Sequence, residues 1–195
     1  ISAMVSIAYF HIDTILLREW SGLAPESIAW YGIAYSWAMS LTVFPGAVMA
    51  AAYPRIARLA RVDVGETERR SFRSLYGRSW TLMLATGAPF ATGTSMCAGK
   101  ISALFYSTET YPPGTMDAAL RVLAWAGGLL FLSAVVSNAL RAANRWRAVI
   151  VLVGITACFN VAANVWAIPR YDHVGAAWAL VLSEAIYVVG GVVAI

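Results

Sequence analysis

The 195-residue chain is 60% hydrophobic and 12% charged, with a mean hydropathy of +0.68 and a net charge of +4. Soluble domains carry roughly 25% charged residues, so this composition excludes an ordinary soluble domain, a disordered tail and a disulfide scaffold, and leaves a membrane-embedded protein. All but one of the 14 basic residues are arginines; they cluster between apolar runs, as in the cytoplasmic loops of membrane proteins, and do not form a nucleic-acid-binding face.

A spanning helix needs about 20 mostly apolar residues, and the chain divides into six such runs. The first covers 1–17 and is closed by Arg18, Glu19 and Trp20. A polar turn leads to the second, 28–53, which contains Pro45 and Gly46 and is expected to stop at Pro54. Residues 54–78 form a basic loop; Phe72, Leu75 and Tyr76 recur in it at helical spacing, which predicts a short amphipathic helix on anionic lipid. The third run, 79–105, is interrupted by Gly87, Pro89, Gly93 and Gly99. After a loop with Pro112, Pro113 and Gly114 come the fourth (118–140), the fifth (148–168) and the sixth (175–195). The runs are too long for strands and too apolar all round for surface helices. The fold class is therefore all-α, a polytopic membrane bundle of six transmembrane helices in one domain.

Orientation follows from the arginines. The second loop holds Arg55, Arg58, Arg61, Arg69, Arg70, Arg73 and Arg78, and the fourth holds Arg141, Arg145 and Arg147. Arg18, Lys100, Arg121 and Arg170 are the only basic residues on the other side, so the positive-inside rule places both ends in the cytoplasm. Apolar runs at Ile1 and Ile195 read as a fragment cut at both ends. Cys97 and Cys158 lie in apolar runs without ligand spacing and read as reduced, buried and structural. His173, in a tight outer turn, reads as a solvated loop residue. Trp20, Trp30, Trp80 and Trp166 near span ends suggest interfacial belts.

No catalytic motif or paired-cysteine metal site is present, and the two histidines sit on different elements. Polarity inside the spans stands out instead. Ser2, Ser6, Tyr9 and Asp13 share one face of the first helix, with Asp13 roughly 7–8 Å below its outer end. Thr156, Asn160 and Asn164 make a similar stripe on the fifth, and Glu184 lies near mid-depth in the sixth. A carboxylate in hydrocarbon costs several kcal/mol unless it faces a cavity or a partner. Asp13 is thus either a cation or proton site or an interfacial carboxylate neutralised by Arg18. Glu184 serves either the same path or a helix-packing hydrogen bond, for instance to an asparagine. The asparagines serve either the site or interhelical adhesion. Gly175, Ala179 and Ser183 form a small-residue seam for close packing.

The stretch IDTILLREWSGLAPESIAWYGIAYSWAMSLTVFPGAVMAAAYPRIARL resembles the seventh and eighth helices of polysaccharide flippases in the multidrug/oligosaccharidyl-lipid/polysaccharide exporter superfamily. SNALRAANRWR is similar to the tenth helix and following loop, and CFNVAANVWAIPRYDHVGAAWALVLSEA to the eleventh and twelfth. The resemblance implies one lobe of a MATE-like transporter in the bacterial plasma membrane, with the amino-terminal lobe missing. Its cargo would be undecaprenyl-linked oligosaccharide repeat units for surface polysaccharide, moved by ion-coupled alternating access. In the peptidoglycan-precursor branch a sodium site uses an aspartate, two polar residues one turn apart and a threonine. Asp13, Asn160 and Asn164 match the first three. Leu180 stands at the threonine's place, so Ser183 or Glu184 would have to substitute. Arg141 and Arg145, with Asn138 and Asn144, sit where a pyrophosphate enters from the cytoplasm, and Arg18 near the outer mouth; a topology signal is the other role for the arginines. No cofactor is implied beyond a sodium ion or a proton. The expected partners are the lipid-linked oligosaccharide, anionic lipids at the basic loop and the missing lobe. The competing readings are a cation-coupled multidrug exporter, an integral-membrane polysaccharide-processing enzyme and a structural membrane subunit.

Overall fold

The computed structural model describes residues 13, 15–18, 25–40, 42–60, 65–107 and 109–195. Ser2, Ser6, Tyr9 and Trp20 lie outside the described residues, as does most of the first expected span. Residues 13 and 15–18 are helical. Helix α1 (Pro25–Ser40) begins with a proline, whose missing N–H costs nothing at that position, and Glu26 complements the helix dipole in the first turn.

The expected 28–53 span is in fact two helices. Thr42 makes the joint, donating its backbone N–H and its hydroxyl to the Met39 carbonyl at 3.0 and 2.6 Å. Helix α2 (Val43–Leu59) runs through Pro54, because Met49 and Ile56 are buried on either side of it and hold the chain across the missing backbone bond.

The 54–78 segment is likewise not a free loop. Helix α3 (Glu66–Phe105) starts there and continues unbroken through the glycines for 40 residues, about 60 Å. Phe72, Leu75 and Tyr76 pack against the cluster around Met49, Ile56, Met83 and Phe131, so the apolar face meets protein as well as its surroundings. Trp80 packs inside as well, with Tyr76 edge-on to it.

Of the glycines expected to interrupt α3, Gly87 is a contact point, where a Cβ would lie 3.1 Å from the Phe131 side chain, whereas Gly93 has nothing within 4 Å. Helix α4 (Met116–Ala142) is the central element and packs against all the others. A Cβ on Gly128 of α4 would lie 2.8 Å from the Ala91 Cβ of α3, and one on Gly127 would lie 2.9 Å from the Ala38 carbonyl of α1. Only a missing side chain permits that approach.

Helix α5 (Trp146–Val193) contains the fifth and sixth expected spans, separated by one non-helical residue, Asp172, at φ 53° and ψ −140°. A Cβ on Gly175 would lie 2.5 Å from the Ala167 carbonyl, although eight residues span about 12 Å in a straight helix. Gly190 approaches Leu152 in the same way. The two arms, 146–171 and 173–193, therefore fold back on each other antiparallel, with Gly175 at the tightest point of the expected seam.

Among the described residues, three stretches are long and apolar enough to cross a membrane: Glu26–Leu59, Met116–Ala142 and Trp146–Val193. Large apolar side chains, including Met96, Leu104, Ile150 and Val193, cover the outside. Cys97 and Cys158 are also exposed, not buried; in a bundle whose outer surface is apolar, an apolar run does not mark the inside.

Candidate functional site

Asp13 is fully buried, and its carboxylate is held from two other elements. Tyr31 of α1 donates its hydroxyl to Oδ2 at 2.9 Å, and Asn164 of α5 donates Nδ2 to Oδ1 at 2.6 Å. Asn164 Nδ2 also reaches Asn160 Oδ1, one turn earlier, at 3.0 Å. Both asparagines are fully buried, and Thr156, a further turn down, bonds back to the Leu152 carbonyl at 2.9 Å. Helical periodicity explains the convergence: positions 156, 160 and 164 fall on one face of α5, and that face meets Asp13. Arg18 is exposed, and the bonded partners of Asp13 are the phenol and the amide.

Two amide atoms in this cluster, Asn160 Nδ2 and Asn164 Oδ1, are buried without a hydrogen-bond partner. An orphaned amide oxygen beside a carboxylate suits a hard cation, which takes oxygen ligands. The residues therefore fit a sodium ion. No group of three or more His, Cys, Asp or Glu among the described residues offers a competing metal site. Leu180 lies fully buried in the apolar core, so the place of the expected threonine contributes packing and no oxygen.

Ser183 and Glu184 make contacts of their own. Ser183 donates to the Ala179 carbonyl at 2.7 Å, and Ser133 of α4 donates to Glu184 Oε2 at 2.7 Å. One turn further along both helices Ser137 and Tyr187 share a hydrogen bond of 2.8 Å. At the end of the arm Arg145 donates to the Ala194 carbonyl at 2.6 Å. These contacts tie α4 and its following turn to the second arm of α5. Glu184 is thus in a hydrogen bond between helices, with serine as the partner where an asparagine was one expectation. Tyr35, stacked on Tyr31, lies within electrostatic reach of both Asp13 and Glu184.

The headgroup candidates do not form one cluster. Asn138 donates to the Ala134 carbonyl at 2.8 Å, Asn144 takes the turn between α4 and α5 at φ 56°, and Arg145 ties down the end of α5. Arg141 is exposed at that same turn, away from Arg18 in sequence.

The turn between the two arms of α5 departs most from its expected character. His173 is 7% exposed, not a solvated loop residue. Its Nε2 lies 3.1 Å from the Thr115 carbonyl, its Nδ1 lies 3.3 Å from Asp172 Oδ2, and Trp30 meets its ring edge-on at 5.6 Å. Ser27 of α1 donates to the same Asp172 oxygen at 2.8 Å. Trp166 keeps its expected peripheral place, 56% exposed beneath the Arg170 guanidinium. Tyr31, Ser133 and Tyr187 were missed because each is ordinary in an apolar helix; spacing to a carboxylate on another helix is not visible along the chain.

Fold and site together define a helical integral-membrane protein with carboxylates and amides enclosed between its spans, the construction of a transporter. The sequence model of one family, Lipid II flippase MurJ, matches residues 1–194, and the chain belongs to that family. It is a flippase for a lipid-linked precursor in the bacterial inner membrane, and not an enzyme. No curated protein and no solved structure matches the chain.

Proposed function

We propose that this chain forms one lobe of a multi-pass, alternating-access flippase that carries the lipid-linked peptidoglycan precursor outward across the inner membrane. The family match over residues 1–194 is the observation that carries the cargo. The oligosaccharide repeat unit is the second reading, favoured by the SNALRAANRWR and IPRYDHVGAAWA stretches. In this reading the chain makes six crossings with both ends cytoplasmic, the two antiparallel arms of α5 counting as the last two. Another lobe completes the cavity, and the arginines of the first turns of α3 rest on anionic lipid. The exposed Arg141 and Arg18 meet the pyrophosphate at the two sides, with Arg145, Asn138 and Asn144 shaping the cytoplasmic entrance.

Asp13, Asn160 and Asn164 hold the coupling ion, a sodium ion or a proton. When bound, it neutralises a carboxylate that would otherwise be charged in a low-dielectric interior. Tyr31 orients that carboxylate, and Asn164 links it to the fifth span. Ser183 and Glu184 support the helix packing around them.

Complementation separates the cargoes. The full-length protein should restore growth in cells depleted of their own peptidoglycan-precursor flippase. Restoration only of surface polysaccharide, in a strain lacking a polysaccharide flippase, favours the second reading. Drug resistance with neither phenotype sinks both. For orientation, a cysteine replacing Thr110 should react with an impermeant reagent from outside, and one replacing Arg69 should not.

A further inference from the structure

The central helix is exposed at one place that the ion site does not use. Helix α4 packs against α1, α2, α3 and α5, and from Met116 to Leu140 its exposed residues are Arg121 and Trp125. They stand one turn apart and share a face. Helix α3 runs antiparallel beside them: a Cβ on its Gly87 would meet Phe131, and one on its Gly99 would lie 3.6 Å from Arg121 Nη2. Met96, three residues before Gly99, is on the same face of α3, and Lys100 follows Met96 by one turn. The Arg121 guanidinium therefore borders an exposed strip of α3 that carries a second cation.

The two cations lie at one depth. Lys100 stands five residues before the end of α3 and Arg121 five after the start of α4, in each case about 7–8 Å along the helix from its end. The surface around them is apolar: Met96 is 79% exposed, Leu104 78% and Trp125 47%. The nearby acid does not satisfy them. Asp117 accepts from the Gly114 N–H at 2.6 Å with one oxygen, and its other oxygen comes only to 3.6 Å from Arg121, beyond the length of a charge-assisted hydrogen bond. Lys100 makes no ion pair among the described residues. A guanidinium carries five N–H donors in a planar fork, so Arg121 offers most of its donors to the surroundings. On an apolar surface such side chains lay their stems along the protein and put their charge at the head-group layer. Both cations also stand against the charge bias that sets topology, so topology does not account for them.

We infer that Arg121 and Lys100 bind the phosphate of a membrane phospholipid with a net negative head group, one of whose acyl chains lies along Trp125 and Met96. Phosphate oxygens match the guanidinium fork two at a time, and the ammonium adds a point charge from the neighbouring helix. Charge selects the head group: a zwitterionic one brings its own cation up to Lys100 and Arg121, whereas a glycerol head brings none. The bound lipid bridges α3 and α4 at the one opening over the central helix. The inference rests on the membrane-spanning character of these helices, and not on the cargo or the ion site; the proposed orientation makes the leaflet the outer one.

Fluorescence quenching tests it without any transport assay. The full-length protein is reconstituted in vesicles that mix phosphatidylglycerol and phosphatidylcholine, with bromine on the chains of one or the other. The emission lost in Trp125→Phe isolates Trp125. Its quenching should report a preference for phosphatidylglycerol of about tenfold, the factor expected for a charge-assisted hydrogen bond. Arg121→Gln combined with Lys100→Gln should bring the preference to about one. Both residues are exposed, so the helices stay packed, and quenching by brominated phosphatidylcholine alone should not change. Arg69→Gln combined with Arg70→Gln, at the far end of α3, should leave the preference intact, as should excess undecaprenyl pyrophosphate. Equal quenching by the two lipids in the unaltered protein, or a preference that survives loss of Arg121 and Lys100, would overturn the site. So would its loss with Arg69 and Arg70, and so would displacement by undecaprenyl pyrophosphate, which would assign the groove to the cargo lipid.

Discussion

Asp13 and Glu184 are both carboxylates enclosed between helices, but they are held by different chemistry and from different directions. Asp13 is gripped by a phenol from α1 and an amide from α5, and an amide oxygen beside it has no partner. Glu184 accepts from a serine of α4, in a ladder whose next rung is Ser137 with Tyr187. The first cluster leaves an oxygen for a ligand and joins elements far apart in the chain, so its geometry changes whenever α1 and the first arm of α5 shift. The second fastens the central helix to its neighbour. Burial of an acid alone therefore does not tell the two carboxylates apart; the unsatisfied amide oxygen in the Asp13 cluster does.

The strongest way to break this contrast is Asp13→Asn, which removes the charge and keeps the shape. Sodium binding to the purified full-length protein should weaken by about two orders of magnitude, or roughly 2.7 kcal/mol, and flipping should stop. Unchanged ion dependence would make the Asp13 cluster as structural as the Glu184 one.

Asn164→Ala takes away both a donor to Asp13 and the orphaned oxygen. A hydrogen bond to a charged group contributes roughly 1.5–3 kcal/mol, so ion affinity measured by isothermal titration should fall by about 10- to 100-fold. Tyr31→Phe sharpens the comparison further, since it removes one donor and leaves every candidate ligand. Its effect should be smaller, about tenfold on affinity, with packing retained. The smallest effect on binding belongs to Glu184→Gln, which should leave sodium affinity within about twofold. It keeps an acceptor for the Ser133 hydroxyl, so thermal stability should change by less than the roughly 1 kcal/mol of one ordinary hydrogen bond. A large loss of sodium binding there would merge the two regions into one site.

Much of the architecture was legible before any coordinates. Helices dominate because apolar runs of that length must satisfy their own backbone in lipid, and the Asp13, Asn160 and Asn164 faces follow from a periodicity of 3.6 residues. The places where reading failed share one cause. Pro54 and the α3 glycines were read as interruptions because local propensity disfavours them in helices. Packing overrode it, through Met49 and Ile56 around the proline and through close approach to α4 at Gly87.

The sequence by itself determined the class of protein, the predominance of helix and the stripe of Thr156, Asn160 and Asn164, since hydropathy and helical period are properties of neighbours along the chain. Only the tertiary structure decided which side of each helix is interior. In a membrane bundle both the core and the outer surface are apolar, so hydropathy does not separate exposed Cys97 and Cys158 from buried Leu180. For the same reason the partners of the buried polar groups (Tyr31 for Asp13, Ser133 for Glu184, Thr115 for His173) were fixed only when the helices packed, because each pair joins residues at least 18 positions apart.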